Sequence, residues 1–157
     1  MSKYTVTVSW ERAQAKFTDN KYNRLHKWKF DGGEIIPASS SPQVVPTPLS
    51  DPSAIDPEEA FIASLSSCHM LWFLSIAAKC GFVVDQYDDE AEGLMEEDKD
   101  SKLSITEVTL RPHVKYMNGS APDIEENIEM HHEAHENCFI ANSVRTEINI
   151  ESKLSIT

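Results

Sequence analysis

Basic side chains are scarce. The 157 residues carry 14 Lys and Arg against 26 Asp and Glu, a formal net charge of −12. Nucleic acid and anionic membrane surfaces are gripped by clustered Lys and Arg, so neither is expected as a partner. Cysteine is sparse too, three residues without dense spacing. That excludes a secreted disulfide scaffold; in a reducing cytosol, persisting thiols are buried filler or chemistry. The opening residues, MSKYTVTVSWERAQ, alternate and lack the basic-then-apolar order of a signal peptide, so export is not expected. The length suits a single domain, 1–157, with a substantial core.

What the chain does have is one long apolar stretch, DPEEAFIASLSSCHMLWFLSIAAKC, from Asp56 to Cys80. Between Ala60 and Ala78 it is apolar or small on every face, interrupted only by serines, Cys68 and His69, so as a helix it needs cover all round. Asp56, Pro57 and Glu59 mark its start as a cap, a first-turn proline and a capping box. Lys79 and Gly81 mark its end. About twenty such residues can span a bilayer, but flanking charges are few and aromatics form no belt. The serines at 64, 66, 67 and 75 allow close backbone approach, which favours a central helix shared by two subunits.

Tyr4, Val6, Val8 and Trp10 alternate as a half-buried strand, and His26, Trp28 and Phe30 suggest a second one ending at Asp31-Gly32-Gly33. The Pro- and Ser-rich run 37–57 reads as an extended, ordered connection. Beyond the helix, Val83 to Leu94 starts as a strand and turns acidic, and Met95 to Ser101 reads as a hairpin loop. The alternation of Leu103 and Ile105 slips before Val108 and Leu110, which predicts a bulge near Glu107. Asn118-Gly119 closes that segment. Pro122 and Asp123 open a second helix with the stripe Ile124, Ile128, His131, His135 and Cys138, ending near Cys138 with a short turn through Ala141. A last strand runs from Val144 to Glu151. The hexapeptide SKLSIT occurs at 101–106 and again at 152–157, too short a repeat to assign a structure. The order of elements gives an α+β class with mostly antiparallel pairing.

Chemistry rests on few residues. Cys68 lies inside the apolar helix and Cys138 ends the second one; if the helices pack together the two thiols can meet, one attacking and one resolving. A buried cysteine also serves as a small hydrophobe. Cys80, ~18 Å along the axis from Cys68, cannot pair with it in a straight helix and is read as filler. A reactive thiolate needs a nearby cation, for which Arg24, Arg12, Arg111 and Arg145 are candidates. Glu58 is the natural carboxylate to hold such an arginine, or it serves only the helix dipole. On an unbroken helix Glu58 is ~15 Å from Cys68, so either the helix breaks or residues of different subunits share the site. His131, His135 and Cys138 have the spacing of metal ligands, although a helix this polar more often exposes its histidines to water. His69 points about 100° away from Cys68, which disfavours a Cys-His pair.

The segments DPEEAFIASLSSCHML and, about seventy residues on, HENCFIANSV resemble the two cysteine motifs of the OsmC family, which includes the organic hydroperoxide resistance proteins. YNRLHKWKFDGG and PQVVPTPLSDP are similar to one branch with a Pro-rich lead into the helix. The resemblance implies an OsmC-like fold, an intertwined homodimer around two long helices, and a cytoplasmic cysteine-based peroxidase that reduces organic hydroperoxides or hydrogen peroxide with a dithiol reductant and no cofactor. It implies Cys68 as the attacking cysteine, Cys138 as the resolving one, and Glu58 as the carboxylate holding Arg24 over the thiolate. Phe139 stands where related branches often have proline. The apolar residues Phe61, Met70, Leu71, Trp72 and Phe73 would favour organic peroxides if they line the pocket. The competing readings are a non-enzymatic protein binding an apolar small molecule on the same fold, and a metal protein using the histidine helix.

Overall fold

The computed structural model describes residues 1–157, which divide into two compact units, Met1–Ala60 and Phe61–Thr157. In the first, β1 (Val6–Ser9), β2 (His26–Phe30) and β3 (Ile35–Ala38) form an antiparallel sheet in that order. The Asp31-Gly32-Gly33 turn signal is met by Gly33 at φ +96°, a conformation that glycine adopts without a Cβ clash. β3 was not foreseen, because its Pro37 reads as part of the following connection. All four residues of β1 are exposed in the single chain, with Val8 at 61%, so the expected half-buried alternation has no covering layer there.

The connection to the long helix is ordered as expected, but turned rather than extended. Val44 N and Val45 N bond to Ser41 O, Leu49 N to Pro46 O and Ala54 N to Asp51 O. The fully buried Ser39 accepts from Asp51 N at 3.0 Å, and Ala38 bridges Ile55. Proline-poor backbone would have more conformations to lose here.

Helix α1 (Pro57–Lys79) follows. Asp56 Oδ1 accepts from Glu59 N at 2.7 Å and Asp56 N donates to Glu59 Oε2 at 3.2 Å, the reciprocal capping box that the sequence signals. At its other end Phe82 N bonds to Ala77 O and Gly81 N to Ala78 O, with Gly81 at φ +85°, the left-handed closure expected of that glycine.

The second unit holds the rest of α1, two mixed sheets and α2 (Ile124–Asn137). One sheet has the order β4 (Val84–Asp89), β7 (Pro112–Tyr116), β9 (Lys153–Ile156); the other has β5 (Glu92–Glu97), β6 (Leu103–Leu110), β8 (Glu147–Ile150). β4–β7 and β5–β6 are antiparallel, whereas β6–β8 and β7–β9 are parallel. The parallel pairs arise because the chain crosses through α2 before returning beside β6 and β7. β5 runs to Glu97, further than the sequence suggested: its glutamates sit on a sheet edge, where charge is tolerated. Opposite it, Leu94 pairs with Glu107 and Met95 with Ile105, so Thr106 is the extra residue of the bulge anticipated near Glu107. The first SKLSIT copy opens β6 and the second is β9, paired to different neighbours, so the repeat marks no structural equivalence.

Two cores form in this unit. Leu65 of α1 packs with Val108 and Leu110 of β6. Phe73, Ile76 and Ala77 of α1 pack with Val114 and Tyr116 of β7 and with Met130 and Ala134 of α2. Burying one large apolar side chain is worth ~1.5–3 kcal/mol, so these residues fix α1 on both sheets. On length and composition α1 could cross a membrane, yet this face lies in the protein core. Cover is incomplete, however: Ala63, Ser67, Leu71, Ser75 and Ala78, spaced by three or four, are exposed in the single chain, Leu71 at 62%.

Candidate active site

Helix α2 is placed by its cap and by one buried polar bond. Asp123 and Glu126 form a capping box at 2.8 and 3.0 Å, and Tyr116 Oη donates to Asn127 Oδ1 at 2.8 Å. Its buried face is Asn127, Met130, His131 and Ala134, followed by the buried Cys138. The expected stripe through Ile124 and Ile128 is corrected: both are exposed, at 68% and 54%. The stripe is rotated by one position because the small Ala134 and the hydrogen-bonded Asn127 suit the close approach to α1 and β7.

Cys138 caps α2, and its thiol lies close enough to the Cys68 thiol to be affected by it. All three cysteines are free. The pair is unequal: Cys68 is half-buried, whereas Cys138 is 1% exposed. Burial, reinforced by the contact with Cys68, pushes the Cys138 thiol up to about 11. The short 3-10 turn Ala141–Ser143, expected after Cys138, aims Ala141 N at Cys138 Sγ over 3.4 Å. Phe139 packs edge-on against Trp72 with ring centroids 5.4 Å apart, a contact that proline could not supply. Cys80 lies exposed just past the end of α1, filler of the helix end rather than core.

Arg24 and Glu58 line one cavity of about 540 Å³ with Trp10, Phe17, Tyr22 and His26. The ion pair expected between them is not formed in this structure. Arg24 donates to the carbonyls of Tyr22 and Asn20 and to Asn20 Oδ1, and its guanidinium stacks 3.6 Å from the Tyr22 ring centre. Glu58 Oε2 is buried without a hydrogen-bond partner. Of the other arginines, Arg111 is held by Glu92 and Glu151 at 3.0 and 3.1 Å, Arg12 donates to Ala15 O, and Arg145 lines a separate cavity with Ser104, Thr106 and Thr146.

Two residues of the expected apolar wall part company. Phe73 is fully buried in the core and Leu71 faces outward, because successive residues of a helix diverge by ~100°. The aromatic cavity is lined instead by Trp10, Phe17 and Tyr22, whose rings pack together at 4.8–5.8 Å. The histidines also depart from expectation. His131 is 2% exposed and bonds through Nδ1 to Nε2 of His69, itself 1% exposed, at 3.0 Å. Burial holds both below their ordinary range, His69 at about 4 and His131 at about 3. The signal that could have found this pair is the position of His131 among 127, 130, 134 and 138, once the buried face is drawn correctly. No three His, Cys, Asp or Glu side chains gather in metal-binding geometry, so the metal reading of His131, His135 and Cys138 finds no cluster.

The model of OsmC-like proteins matches residues 50–153, two thirds of the chain, across both cysteine motifs. The chain belongs to the OsmC-like family. Among solved members, an OsmC-like protein of unknown function from Vibrio cholerae is 53% identical, with 97% of this chain and 99% of that one covered and a TM-score of 0.95. An organic hydroperoxide resistance protein from Elizabethkingia anophelis is 14% identical, covering 100% and 98% at a TM-score of 0.68. Another, from Bacillus subtilis, is 17% identical, covering 98% of each chain at 0.60. These last two likenesses show the OsmC-like fold. None of the curated proteins compared with the chain matches it.

Proposed function

We propose that this OsmC-like chain is a thiol-dependent peroxidase of the cytoplasm that reduces organic hydroperoxides. The observation that carries the reading is the approach of two free thiols of unequal exposure, Cys68 and Cys138, close enough for Cys68 to push the Cys138 thiol up. A peroxidatic cysteine must be reachable and attack as the thiolate. Cys138, buried and pushed up to about 11, is a neutral thiol near pH 7, which leaves Cys68 to attack. The Cys68 thiolate takes the distal oxygen, the O–O bond breaks, and the alkoxide leaves as alcohol after protonation. Cys138 then displaces hydroxide from the Cys68 sulfenic acid, giving the disulfide and water. An external dithiol restores both thiols by exchange.

Arg24 and Glu58 are assigned to the thiolate of a second copy. α1 is unbroken from Pro57 to Lys79, so Glu58 and Cys68 of one helix stand ~15 Å apart along its axis. A homodimer is supported by the open stripe Ala63, Ser67, Leu71, Ser75 and Ala78 and the exposed β1, the kind of apolar surface that single chains rarely leave uncovered. In that assembly the 157 residues act as one domain, and Glu58 Oε2 gains the guanidinium it lacks here. The hydroperoxide resistance proteins of like fold support this choice of reaction at family level only.

Turnover with an organic hydroperoxide and a dithiol tests the proposal. Cys68→Ser abolishes it, and Cys138→Ser permits one turnover before Cys68 stalls or overoxidises. Undiminished turnover in both variants removes the two-cysteine cycle. The aromatic cavity of about 540 Å³ favours one second reading, a non-enzymatic protein that binds an apolar small molecule there. Under that reading ligand binding survives in Cys68→Ser and no peroxide is consumed.

A further inference from the structure

One polar side-chain bond joins α1 to α2, His69 Nε2 to His131 Nδ1 at 3.0 Å. The two rings are parallel within 3°, and the His131 ring stacks on Phe73 with centroids 4.0 Å apart. Their outer nitrogens, His69 Nδ1 and His131 Nε2, are buried without partners. A neutral imidazole has one N–H, so whichever ring donates across the contact, the pair keeps one bare nitrogen and one N–H unsatisfied. Two apolar side chains would fill this place without that desolvation cost. What apolar side chains would not provide is direction: burial of hydrocarbon is indifferent to orientation, whereas an N–H···N bond fixes one register and one rotation.

The register so fixed is that of the cysteines. His69 directly follows Cys68, and His131 precedes Cys138 by seven residues, two turns and ~10.5 Å along α2 on nearly the same face. Sliding or rolling α2 on α1 would keep most apolar contact but carry Cys138 away from Cys68. We propose that the His69–His131 hydrogen bond is the positioning element that presents Cys138 to Cys68 for disulfide formation. This rests on the reading that the two thiols join, and not on the oxidant that joins them.

The test therefore omits peroxide. In a Cys80→Ser background, the protein is equilibrated with oxidised and reduced dithiothreitol, and the equilibrium constant for the Cys68–Cys138 disulfide is measured. In H69L/H131F both nitrogens leave together, so no orphan is created, and an aromatic ring stays on Phe73. The constant is expected to fall at least tenfold in this variant, with helix content by circular dichroism retained. H69Q and H131N keep an amide at the place of the bonded nitrogen and are expected within threefold of the parent. An unchanged constant in folded H69L/H131F overturns the proposal. Should that variant not fold, H69L and H69Q are compared: a tenfold gap supports the bond and equal values refute it. A parent that forms no disulfide refutes both the thiol pair and this role. A parent that forms the disulfide but reduces no hydroperoxide removes only the peroxidase reading.

Discussion

Acid should destabilise this protein through two buried histidines. His69 and His131 are buried at 1% and 2% exposure and neutral in the folded state, at about 4 and about 3 against 6.5 when unfolded. The sign follows from linkage: below 6.5 the unfolded chain takes up protons that the folded chain refuses, so stability falls with pH until the folded values are reached. A tenfold change in proton affinity is ~1.4 kcal/mol, which makes the His69 contribution about 3 kcal/mol across pH 6.5 to 4. His131 contributes a similar amount over the same range and extends the loss toward pH 3. The His69 charge is felt by His131 and that of His135 by His69, but while both rings stay neutral in the folded state their losses add. The Asp51 carboxylate, held low by its hydrogen bonds with Ser53, acts in the same direction but at lower pH, outside the window. Urea unfolding at fixed protein concentration, at pH 7, 6, 5 and 4.5, measures the slope. Wild type is expected to lose roughly 5 kcal/mol over this range, about half from each ring by the same linkage, and H69L/H131F to lose little. Equal losses in the two proteins would refute the assignment of the slope to this pair.

Three further outcomes follow from particular contacts. A Cβ on Gly93 of β5 would stand 2.6 Å from Ile62 Cδ1 and 2.9 Å from Cγ1, so Gly93→Ala is expected to cost ~1–3 kcal/mol in urea unfolding; a neutral result would mean that Ile62 swings aside freely. Asp56→Ala removes the cap bond to Glu59 N and is expected to cost ~1 kcal/mol by the same measurement, with no loss if water replaces the carboxylate. Leu71→Glu puts charge on the open stripe of α1; sedimentation is expected to give a monomer, and unchanged assembly would move the dimer contact elsewhere.

The elements legible from sequence were those with local punctuation. Asp56, Glu59 and Gly81 bounded α1, and the slip in alternation at Ile105 and Val108 located a bulge, because caps and bulges are set by residues within a few positions. The Cys68–Cys138 meeting was legible only through the family resemblance, since spacing alone left buried filler as an alternative. Ile124 and Ile128 read as core, whereas the choice of face is made by tertiary packing against β7 and against α1, which ends some forty residues before α2. For the same reason the two buried histidines looked like solvent-facing ones: a histidine carries no mark of its depth. β3 was hidden by Pro37, which an edge strand tolerates.

The central claim is that Cys68 and Cys138 form one redox centre, and mass spectrometry of the protein treated with one equivalent of an organic hydroperoxide tests it most directly. A single internal disulfide between Cys68 and Cys138 is expected, with Cys80 left as a free thiol. Peptides showing both Cys68 and Cys138 unmodified, or the oxidation confined to Cys80, would contradict it.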